Sequence, residues 1–82
     1  MTRSINTVEM NALRAWLKTA RESQGLSMRA LADRLDQPHS YVQRVEEGER
    51  RLDVVEFIWY CRALGLDALD GVREILKASE QA

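Results

Sequence analysis

The sequence predicts an all-α fold built from five short helices. Apolar residues recur at helical spacing along most of the chain, and no segment shows the strict alternation of a half-buried strand. The order glycine, leucine, capping residue occurs at 25–27 and again at 64–67, where the stretch reads LGLD. A glycine in the left-handed conformation ends a helix, and a serine or aspartate side chain begins the next one. We therefore expect short helices joined by sharp turns.

Apolar stripes and capping residues place the five helices along the chain. Their predicted ranges are 8–24, 27–35, 38–47, 53–64 and 67–79. The first helix carries an apolar stripe made of Met10, Leu13, Leu17 and Ala20, with Trp16 at its flank. The second and third helices are separated only by the stretch LDQP, in which Asp36 tolerates a turn and Pro38 fits the first turn of a helix. Two helices joined so tightly cross steeply, as in a helix-turn-helix.

The third predicted helix has one polar and one apolar face. At about 100° per residue, the polar face consists of His39, Ser40, Gln43, Arg44 and Glu47, and the opposite face of Tyr41, Val42 and Val45. Val42 and Val45 can pack against Leu31 and Leu35 of the second helix. Arg can bind guanine and Gln can bind adenine with two hydrogen bonds each, so the polar face suits the reading of base edges. Arg50 and Arg51 follow the helix, where phosphate is the expected contact.

The fourth predicted helix leaves two apolar residues outside its core stripe. That stripe consists of Val54, Phe57, Ile58, Cys61 and Leu64. Val55 and Trp59 lie outside it, one helical turn apart. An exposed tryptophan on a small domain tends to mark an interface, so we predict a homodimer face here. The alternative is that Trp59 folds onto the fifth helix, against Leu69, Val72, Ile75 and Leu76.

Length and composition limit the classes of function. The 82 residues correspond to one domain, 1–82, without a long apolar run. We expect a cytoplasmic protein, since a single cysteine cannot form an internal disulfide. One histidine, one cysteine and scattered carboxylates form no catalytic or metal-binding spacing, so we expect neither an enzyme nor a cofactor.

Charge is distributed unevenly along the chain. Residues 1–52 carry nine Arg or Lys against seven Asp or Glu, and residues 53–82 carry three against six. A bipolar molecule can present its positive end to a polyanion. The alternative is that both regions are simply solvated surfaces, because the overall net charge is only −1.

The stretch LSMRALADRLDQPHSYVQRVEEGERR, residues 26–51, resembles a known family. It is similar to the helix-turn-helix of the phage-repressor and Cro-like, or XRE-type, regulators. The matching points are Leu31, Ala32, Val42, Val45 and the Glu46-Glu47-Gly48 ending, and the likeness extends from Arg21 to LGLD. Asp36 and Pro38 depart from the family, which usually has glycine and a serine or threonine cap there. The small size resembles restriction–modification controller proteins and small phage regulators.

This resemblance implies roles for individual residues. The base-facing positions would be His39, Ser40, Gln43 and Arg44, and the positions near phosphate would be Ser27, Arg29, Tyr41, Arg50 and Arg51. Arg21 would pair with Glu46. We therefore expect a sequence-specific DNA-binding transcription regulator that acts as a homodimer on a pseudo-palindromic operator in double-stranded DNA. The alternative function is a protein-interaction module such as an antitoxin, which uses the same fold mainly to bind a protein partner.

Overall fold

The computed structural model describes residues 7–81, and this range contains five α-helices and no strand. The helices are α1 Val8–Ser23, α2 Met28–Arg34, α3 Ser40–Glu46, α4 Val54–Leu64 and α5 Ala68–Gln81. The predicted all-α class is therefore confirmed. No helix in this range is long and apolar enough to cross a membrane.

The two glycine turns form as the sequence predicts. Gly25 and Gly65 both adopt the left-handed conformation, with φ of 65° and 69°. The amide of Leu66 closes the end of α4 by donating to the carbonyl of Cys61 at 2.8 Å, and α1 ends in the same way. The next helices then begin on side-chain oxygens. Ser27 accepts from the amide of Ala30 at 3.0 Å, and Asp67 accepts from the amide of Leu69 at 2.9 Å.

The turn between α2 and α3 differs from the prediction at Pro38. Asp36 is left-handed, with φ of 55°, and the amide of Gln37 reaches back to the carbonyl of Ala32 at 3.0 Å. The closure of α2 thus extends as far as Gln37, and α3 begins at Ser40, with His39 as its N-cap residue. The placement of Pro38 in the first turn of α3 was therefore wrong. Its carbonyl instead accepts from the amide of Tyr41 at 2.9 Å, just ahead of the helix.

The hydrophobic core is formed by one face each of α1, α2, α3 and α4. Its buried apolar members are Leu13, Leu17, Leu31, Ala32, Tyr41, Val42, Val45, Phe57, Tyr60, Cys61 and Leu64. Three assignments on α4 need correction. Ile58 was placed on the core stripe but is only partly buried and is not one of the buried core residues. Val54 is 74% exposed, because the core arc begins one turn later at Phe57, whereas Tyr60 is completely buried although it was not predicted to be. Trp16 is partly buried against this core, which agrees with its predicted place at the flank.

Helix α5 covers α1 and α4 through a glycine. Gly71 is buried, and a Cβ added to it would lie 2.7 Å from Phe57 and 2.8 Å from Trp16. Carbon atoms essentially never approach each other this closely, so a side chain at position 71 would force Phe57 and Trp16 to shift. Helix α5 therefore packs mainly on α1 and also on α4, whereas it shares few contacts with α2 and α3.

Candidate nucleic-acid interface

Helix α3 presents a polar surface because its other face is buried. Val42 and Val45 are 0% and 2% exposed, whereas Ser40, Gln43 and Arg44 are all exposed. The buried valines hold α3 against α2, which contributes Leu31 and Ala32 to the same core. The three polar side chains consequently project outward from a helix that is anchored on its opposite face.

His39 lies immediately before α3 and is tied across the turn. Its Nε2 lies 3.1 Å from Oδ1 of Asp33 in α2, and both side chains are more than half exposed. The backbone of His39 occupies the N-cap position, but its side chain does not cap the helix. The Asp33 partner was missed by sequence reasoning. A signal for it was present, since the two residues flank a tight turn six positions apart.

The side chains of Gln43 and Arg44 differ in the hydrogen bonds that they form within the protein. The side-chain nitrogen Nε2 of Gln43 donates to Oε1 of Glu47 at 3.2 Å, one turn along the helix. Within residues 7–81, Arg44 has no hydrogen bond or ion pair through its side chain. The donors of Arg44 are therefore the more readily available of the two for an external partner.

Arg50 is more constrained than expected for a phosphate contact. Its Nη2 donates to Oε2 of Glu56 at 2.6 Å, and its guanidinium carbon lies 4.8 Å from the centre of the Tyr41 ring. Its Nη1 also donates to the carbonyl of Arg51 at 2.6 Å. The hydrogen bond to Glu56 raises the pKa of Arg50, and the same bond lowers the pKa of Glu56. Sequence reasoning did not identify Glu56 as this partner.

The other predicted phosphate contacts divide into exposed and buried residues. Ser27, Arg29 and Arg51 are exposed, although the hydroxyl of Ser27 is already engaged as the cap of α2. Tyr41 is only 7% exposed and belongs to the core, where burial raises the pKa of its hydroxyl. The assignment of Tyr41 to the phosphate-facing surface therefore needs correction. Tyr41 lies on the same face of α3 as Val42 and Val45, and its ring packs against the guanidinium of Arg50.

Arg21 joins α1 to two parts of the helix-turn-helix region. Its Nε donates to Oε2 of Glu46 at 2.6 Å, and its Nη2 donates to Oε1 at 3.1 Å. Its Nη1 donates to the carbonyl of Leu26 at 2.8 Å. The hydrogen bond to Glu46 raises the pKa of Arg21, which remains charged although it is buried. The end of α1, the loop before α2 and the end of α3 are thus fixed together.

Val55 and Trp59 form an apolar surface on α4. They are 52% and 53% exposed. In the alternative arrangement Trp59 would be covered by α5, but Leu69 and Leu76 of α5 are also more than half exposed. Half of the tryptophan surface thus stays accessible in the single chain.

The described residues offer little for metal or nucleophilic chemistry. Within residues 7–81, no three His, Cys, Asp or Glu side chains lie together in a way that could hold a metal ion. The Cys61 thiol is buried, and burial raises its pKa to about 11. At neutral pH it is therefore a protonated core side chain.

Known proteins share both the sequence pattern and this arrangement of helices. A helix-turn-helix family model, HTH_3, matches residues 17–70. An XRE-family like protein from Pseudomonas syringae pv. tomato is 38% identical, with a TM-score of 0.78 over 84% of each chain. No curated protein sequence matches the chain significantly.

Two further solved structures are similar at lower identity. The clp gene regulator ClgR from Corynebacterium glutamicum is 26% identical, with a TM-score of 0.75 over 89% of this chain and 79% of that one. The restriction-modification controller protein C.AhdI from Aeromonas hydrophila is 28% identical, with a TM-score of 0.70 over 84% of this chain and 98% of that one. Since the family model spans well over half of the sequence and agrees with the geometry of α2 and α3, the chain belongs to the XRE-type helix-turn-helix family.

Proposed function

We propose that this protein is a sequence-specific DNA-binding transcription regulator that acts as a homodimer on a pseudo-palindromic operator. One observation supports this proposal above the others. Ser40, Gln43 and Arg44 project from α3 while Val42 and Val45 anchor its opposite face. A helix exposed in this way fits the major groove of B-DNA, which is about 12 Å wide.

The exposed side chains suit different bases. Arg44 has its donors available and can bind guanine through two hydrogen bonds, and Gln43 can bind adenine in the same way. Each such pair contributes about 1–3 kcal/mol of discrimination against the wrong base. Ser40 and His39 lie at the N-terminal end of α3, the end of a recognition helix that contacts base edges.

Phosphate contacts would surround this reading surface. Arg29 at the start of α2 and Arg51 after α3 are exposed cations, and Ser27 lies at the N-terminus of α2. Contacts of this kind position a protein on the duplex without reading its sequence.

The apolar surface on α4 supports a homodimer. Pairing Val55 and Trp59 with the same residues of a second copy would cover them in a two-fold interface. Two α3 helices could then enter successive major grooves about 34 Å apart on one side of the duplex.

The similar structures support regulation of transcription, because ClgR is a clp gene regulator and C.AhdI is a restriction-modification controller protein. A protein-interaction module of the antitoxin kind is the second candidate. It is favoured by the net charge of −1 and by exposed Glu47 and Glu49 beside the reading surface.

Selection of bound sites from random double-stranded DNA tests the proposal. We expect a palindromic consensus with two half-sites, bound by two chains. The affinity for the winning site should fall steeply with salt, because each neutralised phosphate contributes about 0.9 to the slope of log K against log salt. Failure to enrich any sequence, together with weak salt dependence, would favour the protein-interaction module.

A further inference from the structure

The connection between α3 and α4, residues 47–53, is held by the side chain of Arg50. The guanidinium lies over Tyr41 of α3, with 4.8 Å between its carbon and the ring centre. It donates to Glu56 of α4 at 2.6 Å and to the carbonyl of Arg51 at 2.6 Å. A single side chain thus joins the recognition helix, the connection and the next helix.

Glu56 is itself held in place by the start of α4. Its Oε1 accepts from the amide of Asp53 at 3.0 Å, while Asp53 Oδ1 accepts from the amide of Glu56 at 2.7 Å. This reciprocal arrangement is a capping box. The carboxylate that binds Arg50 therefore cannot move away without losing its hydrogen bond to the amide of Asp53.

The charges in this cluster argue against a direct phosphate contact by Arg50. Its positive charge is balanced by Glu56, and only 35% of the Arg50 side chain and 20% of the Glu56 side chain are exposed. Turning the guanidinium toward a phosphate would break its bond to the carboxylate and leave Glu56 half-buried without its cation. Arg51, the next residue, is exposed.

We propose that Arg50 is a positioning residue: clamped between Tyr41 and Glu56, it holds the backbone of Arg51 and so sets the place from which Arg51 reaches DNA. The inference rests on the proposed DNA-binding function. The sequence predicts that Arg50 and Arg51 both contact phosphate. In this proposal only Arg51 contacts phosphate, and Arg50 holds Arg51 in place. Glu56 then promotes DNA binding although its charge repels phosphate.

Glu56→Gln tests this inference by the sign of its effect. Glutamine can still complete the capping box, but it removes the charge that holds Arg50. In a simple electrostatic account, loss of a carboxylate strengthens DNA binding. We expect the opposite: affinity for the selected operator should fall about tenfold, as for loss of one charged hydrogen bond. The magnitude of the salt slope should fall by about 0.9 per subunit, which corresponds to one phosphate contact.

Asp70→Asn provides the matched control. Asp70 is also a carboxylate paired with an arginine, with 2.7 Å to Arg73, but it lies on α5 away from the connection. Its substitution removes the same charge and should leave operator affinity and salt slope unchanged. If Glu56→Gln binds as Asp70→Asn does, or more tightly than the wild type, Arg50 is not a positioning residue.

Combining the changes separates support from contact. In a chain that carries Arg51→Gln, adding Glu56→Gln should produce no further loss of salt slope, because the contact is already gone. A further loss of about 0.9 per subunit on adding Arg50→Gln to the Arg51→Gln chain would show that Arg50 contacts phosphate independently, because that change removes the Arg50 cation itself.

A measurement without DNA decides the positioning claim if the wild type selects no sequence. Backbone ¹⁵N relaxation should show lower order parameters at residues 49–53 in Glu56→Gln than in the wild type or Asp70→Asn. Unchanged order in this segment would overturn the inference. Absence of a selected sequence from the wild type would overturn only the proposed function.

Discussion

Arg21 of α1 and Glu46 of α3 form a bidentate ion pair whose side chains are only 9% and 4% exposed. The Nε–Oε2 distance is 2.6 Å and the Nη2–Oε1 distance is 3.1 Å. The remaining terminal nitrogen of Arg21 donates to the carbonyl of Leu26. A buried charge paired in this way gives little net stability relative to apolar residues, but it is costly to leave alone.

Glu46→Gln should lower the free energy of unfolding by about 3–5 kcal/mol, since it leaves the buried Arg21 charge with only the exposed carboxylate of Glu22, 3.9 Å away, as a counter-charge. The double change Arg21→Met with Glu46→Leu should recover much of that loss, because no buried charge remains. Urea denaturation followed by circular dichroism measures both. If Glu46→Gln alone is as stable as the wild type, the Arg21–Glu46 ion pair does not stabilise the fold.

Asp36→Gly should raise the free energy of unfolding by about 1 kcal/mol. Asp36 has φ of 55° at the end of α2, where an L-residue is strained and glycine is not. Thermal or urea denaturation measures the change. Asp36→Ala is the control for loss of the carboxylate and should lower stability. If both variants shift stability in the same direction, the charge of Asp36 matters more than its backbone conformation.

The helix ends were the most predictable part of this fold. Gly25 and Gly65 stop helices because their conformation is set locally, within one turn of chain. The start of α3 was less predictable, since Pro38 is compatible with both the first turn and the preceding loop. In the structure Pro38 lies in the loop, directly after Gln37, whose amide closes α2 on the carbonyl of Ala32.

Gly71→Ala should lower the free energy of unfolding by about 1–3 kcal/mol, the usual cost of an extra methyl in a packed core. The added carbon would lie within 2.8 Å of Phe57 and Trp16. Alanine is the better helix former by about 1 kcal/mol, so any loss reflects the clash. Denaturation with urea gives the value.

Phe57→Leu in the Gly71→Ala background is the matched rescue. The shorter side chain removes the 2.7 Å contact with the new methyl. The Gly71→Ala change should therefore cost less in the Phe57→Leu chain than in the wild type. Equal costs in the two backgrounds would show that α5 does not depend on close approach at this glycine.

The exposed face of α3 followed from sequence, whereas the partners around it did not. Helical spacing alone separates Ser40, Gln43 and Arg44 from the buried valines. The clamp on Arg50 depends on Glu56, which belongs to another helix and is brought near by the path of the connection. Side-chain pairs between elements depend on tertiary geometry, so helical spacing alone does not identify them.

Trp59→Glu should give a folded but monomeric protein with poor operator binding. Burial of an aromatic side chain contributes on the order of 2–3 kcal/mol, and in a two-fold interface it acts twice. Without the dimer, each chain binds its half-site alone, so binding at one half-site no longer raises the effective concentration of protein at the other. Light scattering gives the mass, circular dichroism the helix content, and operator titration the affinity.

Val8→Glu is the control for Trp59→Glu. Val8 is also 53% exposed but lies at the start of α1, and its substitution should leave a dimer with unchanged affinity. A dimeric Trp59→Glu variant would place the interface elsewhere. An unfolded one would assign Trp59 to the stability of the single chain.

The most direct test of base reading by α3 is to repeat the selection from random DNA with Arg44→Ala. Arg44 is exposed on the polar face, and a bidentate contact with guanine contributes about 1–3 kcal/mol of discrimination. We predict that one position in each half-site loses its preference while the rest of the consensus is kept. A consensus identical to that of the wild type at every position would contradict base reading by Arg44 of α3.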